Sequence, residues 1–278
     1  MNGPSTLLAY EDRWVTQMGM WLPGKRVVFR GKDLFHDFGD TSWIGLLLYG
    51  ITGRTFTPRE ISLLENIWKI CTSYPDPRLW NNRLAALGGT VRTTASLAIA
   101  AANAISEATI FGGRAAIRIL DFLARTLGAV AAGADLEALV MNELRKFRAI
   151  AGYGRPVTRE DERIPVLTAL ASGLRLGDGP HTQLAFSIAE ILRNRRRRLH
   201  MNVAAVAAGL LLDLGLSPRE AYCFMVLSFS AGMFPCYLDA LDKPEGAFLP
   251  MRCSRVRYTG RPIRAWDDRA RKLYGDDR

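Results

Sequence analysis

Two nearly identical tetrapeptides, TPRE at Thr57 to Glu60 and SPRE at Ser217 to Glu220, constrain this chain more than any other feature. In each, a hydroxyl can accept from the backbone N–H three residues on, proline presets the first turn, and the glutamate can reach back to the cap. Both therefore start helices. Behind Thr57, the residues Ile61, Leu64, Ile67, Trp68 and Cys71 keep helical spacing, and the segment SPREAYCFMVLSFSAGMFPCYLDAL behind Ser217 continues the helical pattern. The same period carries WNNRLAALGGTVRTTASLAIAAANAIS, with a weak point at Gly88-Gly89, and then two helices parted at Gly133. TALASGLRL, PHTQLAFSIAEILRNRRRR and LHMNVAAVAAGLLLDLGL continue the pattern. So many alanines predict close helix-to-helix packing. Only KRVVFRGKDL, Lys25 to Leu34, has a β-branched run flanked by glycines, and it reads as a small hairpin. The expectation is a mostly α protein without a fixed repeat.

Over 278 residues, 49% hydrophobic and 23% charged side chains exclude a disordered chain and provide for a large core. Thirty-seven Lys+Arg against 27 Asp+Glu give a net charge of +10, which favours anionic partners: nucleic acid, an acidic membrane face or a phosphorylated small molecule. The four cysteines, Cys71, Cys223, Cys236 and Cys253, have no C-x-x-C spacing, so no metal site is expected and a reduced, cytoplasmic protein is. The start, MNGPSTLLAYEDRW, lacks a basic segment leading into an apolar run, so no signal peptide is expected. The longest apolar stretch, VAAVAAGLLL at Val203 to Leu212, stops at Asp213, short of the roughly 18 residues of a spanning helix. No membrane partner is expected.

Five segments, taken in order, resemble the citrate synthase superfamily, most closely its short citryl-CoA lyase-like members. VVFRGKDL is similar to an early RGYD hairpin, and SWIGLLLYGITGRTFTPRE to the first helix pair. GYGRPVTREDERIPVLTALA resembles a GFGHPV…DPR loop and its helix, MNVAAVAAGLLLDLGLSP resembles NVDGAIAALLLDLG, and RYTGRP resembles RYTGP. The match runs from about Val27 to Arg264. It implies an all-α, citrate synthase-like fold: a large helical domain of residues 1–113 and 216–278, with a smaller helical domain of residues 114–215 inserted. It also implies a homodimer, a site in the cleft between the domains, no permanently bound cofactor, and a coenzyme A thioester as substrate or ligand.

The family's reaction passes through an enolate of the thioester and needs tuned proton-handling groups. Here those positions are substituted. Phe111 stands where the family has the histidine of HGG, Arg155 where it has the histidine of GxGH, and Ala204 where it has the aspartate base of NVD. The arginine that clamps the keto-acid carboxylate corresponds to Phe229, or to Ser228 or Ser230 with a one-residue slip. Arg155 cannot act as a base, because a guanidinium stays protonated. It can clamp a carboxylate or enolate oxygen; the alternative is a surface arginine paired with Asp161 or Glu162. Arg114, after Gly112-Gly113, supplies a second candidate cation.

For ligand binding the resemblance points to Gly112, Gly113, Gly152, Tyr153, Gly154, Arg159, Arg163, Asn202 and Phe229. Gly152 and Gly154 allow positive φ and close backbone approach. Arg159 matches the basic residue that contacts phosphate, and Arg163 the arginine of DPR. A replacement base has few candidates: His200, one turn before Ala204 if the helix starts early, then Glu107 and Asp239. Cys236 sits where relatives carry a histidine but reads as packing, and His36 and His181 show no partner in the sequence. The run Arg193 to Arg198 is open to three readings: an exposed helix end complementing the dipole, a contact to CoA phosphates, or a nucleic-acid patch. Without interleaved aromatics the last is disfavoured. Two functions stay open. One is a rewired acyl-CoA enzyme making or breaking a carbon–carbon bond; the other is a non-catalytic relative that binds a CoA-type ligand or partners an active paralogue.

Overall fold

The structure, a computed structural model, describes residues 3–109, 112–154, 160–195, 198–247 and 252–261. A short helix α1 (Pro4–Tyr10) buries nothing. A small antiparallel sheet follows, β1 (Gly19–Leu22), β2 (Arg26–Phe29) and β3 (Lys32–Asp33), in the order β1-β2-β3. The sequence reading found β2 and β3 as a hairpin and missed β1, which pairs through Met20 with Val28 but leaves Met20 and Trp21 exposed. Phe29 packs with Phe38 and with Tyr49 of helix α2 (Trp43–Thr52), tying the sheet to the helical body.

Helix α3 (Pro58–Cys71) begins with the expected capping box: the Thr57 N–H donates to Glu60 Oε2 at 2.7 Å, and the Glu60 N–H to Thr57 Oγ1 at 3.4 Å. Helices α4 (Trp80–Thr90) and α5 (Ala95–Ile105) do not break at Gly88-Gly89. The turn comes after them, where Arg92 has φ 58° and Thr94 caps α5. The glycines stay inside α4 because neighbours crowd them: a Cβ on Gly88 would lie 2.6 Å from Ala98 Cβ, and one on Gly89 2.5 Å from the Tyr237 carbonyl oxygen.

Helices α6 (Gly113–Ala131) and α7 (Leu136–Phe147) part at Gly133 as expected, with Asp135 capping α7. Then come α8 (Arg163–Gly173), α9 (Pro180–Asn194) and α10 (Val203–Asp213). Ser217 and Glu220 form the second capping box, opening α11 (Pro218–Val226). A 3-10 turn, Leu227–Phe229, joins it to α12 (Ser230–Leu241). Among the described residues this stretch, not Val203 to Leu212, is the longest apolar helical run: its 24 residues have the length and composition to cross a membrane. In the fold its α12 half packs on α4 and α5, and its α11 half on α6 and α2.

The main core gathers α2, α3 and α6 to α11 around Leu48, Leu64, Phe122, Leu123, Ile188 and Phe224. Helix α10 lies at its centre, with nearly all of its residues buried. A second cluster joins α4, α5 and α12 through Ala85, Ala98, Ala102, Met233 and Tyr237. Alanine and glycine at these crossings let the helix backbones approach closely.

Candidate active site

A cavity of about 660 Å³ opens where three parts of the chain meet. The end of α3 and the following segment contribute Cys71 and Tyr74, the centre of the chain contributes α6, the loop before Gly154 and α10, and Met225 and Phe229 close it. Its floor is the start of α10. The Asn202 side chain caps that helix, accepting from the Ala204 N–H at 3.0 Å, and its amide donates to the Gly154 carbonyl at 3.1 Å. The Asn202 N–H donates to the Gly152 carbonyl at 2.9 Å and the Gly154 N–H to the His200 carbonyl at 2.5 Å, so 152–154 and 200–202 run as a short antiparallel pair. Gly152 (φ 82°) and Gly154 (φ 111°) take the left-handed backbone this needs. A Cβ on Gly152 would also lie 2.9 Å from Ile119.

Asp161 binds this arrangement together. Its buried carboxylate accepts from the Val203 N–H at 2.8 Å, at the positive end of α10, and from Arg163 Nε and Nη2 at 2.8 Å each. Burial alone would raise its pKa. The hydrogen bonds from the Arg163 side chain and from Val203 outweigh burial and bring it to about 2. Arg163 is thus a partly buried cation already neutralised by a permanent partner. Tyr153 donates its hydroxyl to the Ala185 carbonyl at 2.7 Å, and burial pushes the phenol up. Cys71 is pushed up to about 12, chiefly by burial, against the opposing field of Arg163. Neither ionises at neutral pH.

The structure brings together most of the residues singled out from the sequence. Gly112, Gly113 and Ala204 line the cavity; so do Gly152, Tyr153 and Gly154, and Arg163, Asn202 and Phe229 complete the set. Phe111, Arg155 and Arg159 lie outside the described residues. Arg114 and His200 are exposed and are not on the cavity wall. Helix α10 starts only at Val203, so His200 is not on it and meets the site through its backbone carbonyl alone. Of the other candidates, exposed Asp239 pairs with Lys243, and Cys236 packs with Ala86 and Ala240. His181 does have a partner, Asp213, at 2.9 Å.

Glu107 is also exposed and off the cavity wall, but it touches a residue that lines it. Its carboxylate packs against Gly113, the first residue of α6, and accepts a short hydrogen bond from Tyr222. That bond is the main reason the Tyr222 hydroxyl is pushed up to about 12. Partners 115 residues apart left no signal in the sequence. Sequence reasoning also missed Arg78 and Arg118, both on the cavity wall. For Arg118 a signal existed, since it shares a helical face with Ala115 and Ile119.

No family model and no curated protein matches the sequence. Solved structures do match in fold. Citryl-CoA lyase from Hydrogenobacter thermophilus superposes with a TM-score of 0.81 at 21% identity, over 93% of this chain and 99% of that one. This chain has a citrate synthase-like fold. ATP citrate lyase from Methanosaeta concilii, in complex with (3S)-citryl-CoA, gives a TM-score of 0.70 at 17% identity over 95% of this chain. Citrate synthase from Thermoplasma acidophilum, in a ternary complex with carboxymethyl coenzyme A and oxaloacetate, gives 0.62 at 16% identity over 82%. The chain spans 45% of that ATP citrate lyase and 59% of that citrate synthase, whereas it matches the citryl-CoA lyase almost end to end. On this citrate synthase-like fold, Gly112-Gly113 and Ala204 stand on the walls of one cavity.

Proposed function

We propose that this chain acts on an acyl-CoA or related thioester in a Claisen- or aldol-type carbon–carbon bond step other than ordinary citrate synthesis. The observation that carries this reading is the composition of the cavity. Its described wall has three arginines, Arg78, Arg118 and Arg163, and neither aspartate nor glutamate, set in a largely apolar surround. Such a site suits an anionic ligand with an apolar arm, and its volume is in the range of small-molecule pockets. Structures of the same fold hold citryl-CoA or carboxymethyl coenzyme A. In this reading the domains divide at 113/114 and 215/216, the site lies between them, and the protein is a homodimer. The free thiols Cys71, Cys223 and Cys236 suit a reducing, cytoplasmic setting.

The active site is rewired. Ala204 supplies no base, and Arg155, at the position of a catalytic histidine, acts as a fixed donor to a carboxylate or enolate oxygen. Arg159 belongs to the CoA-phosphate contacts. Glu107, hydrogen-bonded to Tyr222, has its carboxylate against Gly113 at the start of α6. A second reading, a non-catalytic holder of a CoA-type ligand or partner of an active paralogue, is favoured by one fact: no aspartate, glutamate, histidine or lysine lines the described cavity.

Incubation with a panel of acyl-CoA thioesters and α-keto acids, followed by mass spectrometry, separates the readings. A new carbon–carbon bond, or cleavage of an added citryl-CoA analogue, supports the enzyme. Binding without turnover across the panel supports the holder. Citrate synthesis at the rate of an active citrate synthase overturns the rewired site, since one lost acid or base removes about 10²- to 10⁴-fold.

A further inference from the structure

The three arginines of the cavity wall are not equivalent. Arg78 is almost wholly exposed and holds Asp76 through Nε and Nη2, at 2.6 Å for the shortest contact. Arg163 is clamped by the buried Asp161. Arg118 is half-buried on the inward side of α6, and among the described residues it has no carboxylate partner. Its guanidinium carbon instead sits 4.4 Å from the centre of the Phe147 ring, at the last residue of α7. Stacking on a ring holds the guanidinium plane from one face and leaves its N–H edge open for in-plane hydrogen bonds. A partly desolvated cation, oriented and without a carboxylate partner among the described residues, on a cavity wall whose described part holds no acid, is arranged to receive an anion.

We infer that Arg118 is an anion-binding cation of the cleft, holding an oxyanion group of the ligand with Phe147 as its platform. This rests on the reading of the cleft as a thioester site. The oxyanion has two sources in an acyl-CoA: a carboxylate on the acyl group, or a phosphate of the nucleotide. Both offer oxygens at the spacing of a guanidinium fork. Arg114, four residues earlier on α6, is exposed and does not line the cavity, so the role belongs to the second arginine of the helix and not the first.

Calorimetry with acetyl-CoA, succinyl-CoA, CoA and 3′-dephospho-CoA, at low and physiological salt, tests this on the wild type, R118Q and R118K. Losing one charge-assisted contact weakens affinity by about 10- to 150-fold. If a carboxylate is bound, R118Q loses that factor for succinyl-CoA alone. If the 3′-phosphate is bound, R118Q loses it for acetyl-CoA, succinyl-CoA and CoA but not for 3′-dephospho-CoA, and if the pyrophosphate is bound it loses it for all four. R118K should keep part of the affinity and the salt dependence, and it guards against a variant that fails to fold. R118Q binding all four as the wild type does, with an unchanged salt slope, overturns the inference and leaves Arg118 a packing residue. A wild type that binds none of them overturns the thioester reading itself, and this inference with it.

Discussion

Asp161 hydrogen-bonds the Arg163 guanidinium with both carboxylate oxygens, and one of them also caps the first N–H of α10, so a single side chain joins two helix starts beneath the cavity. Its folded pKa of about 2 lies below the usual value near 3.8. A group depressed in this way stabilises fully above its unfolded pKa and loses that contribution as pH falls through the folded one. Asp161→Asn should therefore cost about 2 kcal/mol at pH 7, with the gap to the wild type narrowing between about pH 4 and pH 2. Urea titrations at several pH values measure it, and a gap constant from pH 6 to pH 2.5 would assign the effect to packing instead. Cys71 gives a second residue-scale expectation. With its thiol pushed up to about 12 it stays protonated, so iodoacetamide at pH 7.5 should label the exposed Cys223 well before Cys71. Rapid labelling of Cys71 by peptide mass spectrometry would contradict its raised pKa. Little of this was legible in the sequence. Asp161 was visible only as a charge near Arg155; Arg163 is two residues away, but the bond to the Val203 N–H, 42 residues on, depends on how α8 and α10 meet.

Helix starts were the most readable elements, because their signals are local. Both capping boxes and the Gly133 break fall where the residues place them. Gly88-Gly89 reads equally as a helix breaker or as a helix crossing, and only the partner helix decides. In α4 they are a crossing against Ala98 of α5 and Tyr237 of α12. The consequence is opposite to ordinary propensity. In an exposed helix Gly→Ala stabilises by up to about 1 kcal/mol, but Gly89→Ala would put a methyl 2.5 Å from the Tyr237 carbonyl oxygen and 2.9 Å from Ala240 Cβ. The helices must separate, and overpacking of that kind costs about 1–3 kcal/mol. Thermal unfolding of Gly89→Ala should show a lowered midpoint; an unchanged or raised one would mean that α4 and α12 do not pack as described. β1 escaped the sequence reading because a four-residue strand with two exposed apolar side chains has no alternation to detect.

At the scale of the whole molecule, periodicity supplied helices but not their arrangement; the order of five motifs supplied that, and the fold agrees with it. The cavity draws on segments more than a hundred residues apart, which no local pattern can bring together. The assembly proposed for this fold, a homodimer, can be argued from what the single chain leaves uncovered. The α4, α5 and α12 layer is buried on one side, yet it exposes apolar side chains a helical turn apart. These are Leu87 and Val91 at 42% and 58%, Leu97 at 65%, and Phe234 and Leu238 at 47% and 58%. Ala100 and Ala101 on α5 are exposed beside them. Three mutually packed helices showing leucine, phenylalanine and alanine outward form a surface that a second copy can cover with its own equivalent, as two-fold symmetry requires. Light scattering at micromolar concentration should give about twice 30.9 kDa. Leu238→Arg together with Phe234→Glu should shift the protein toward monomer with its helical circular dichroism retained. Trp14→Ser should not, although Trp14 is 91% exposed, because α1, next to it, buries nothing. A wild type that runs as a monomer across that range overturns the dimer. A dimer that survives the α12 pair and dissociates on Trp14→Ser would move the interface to the N-terminal arm.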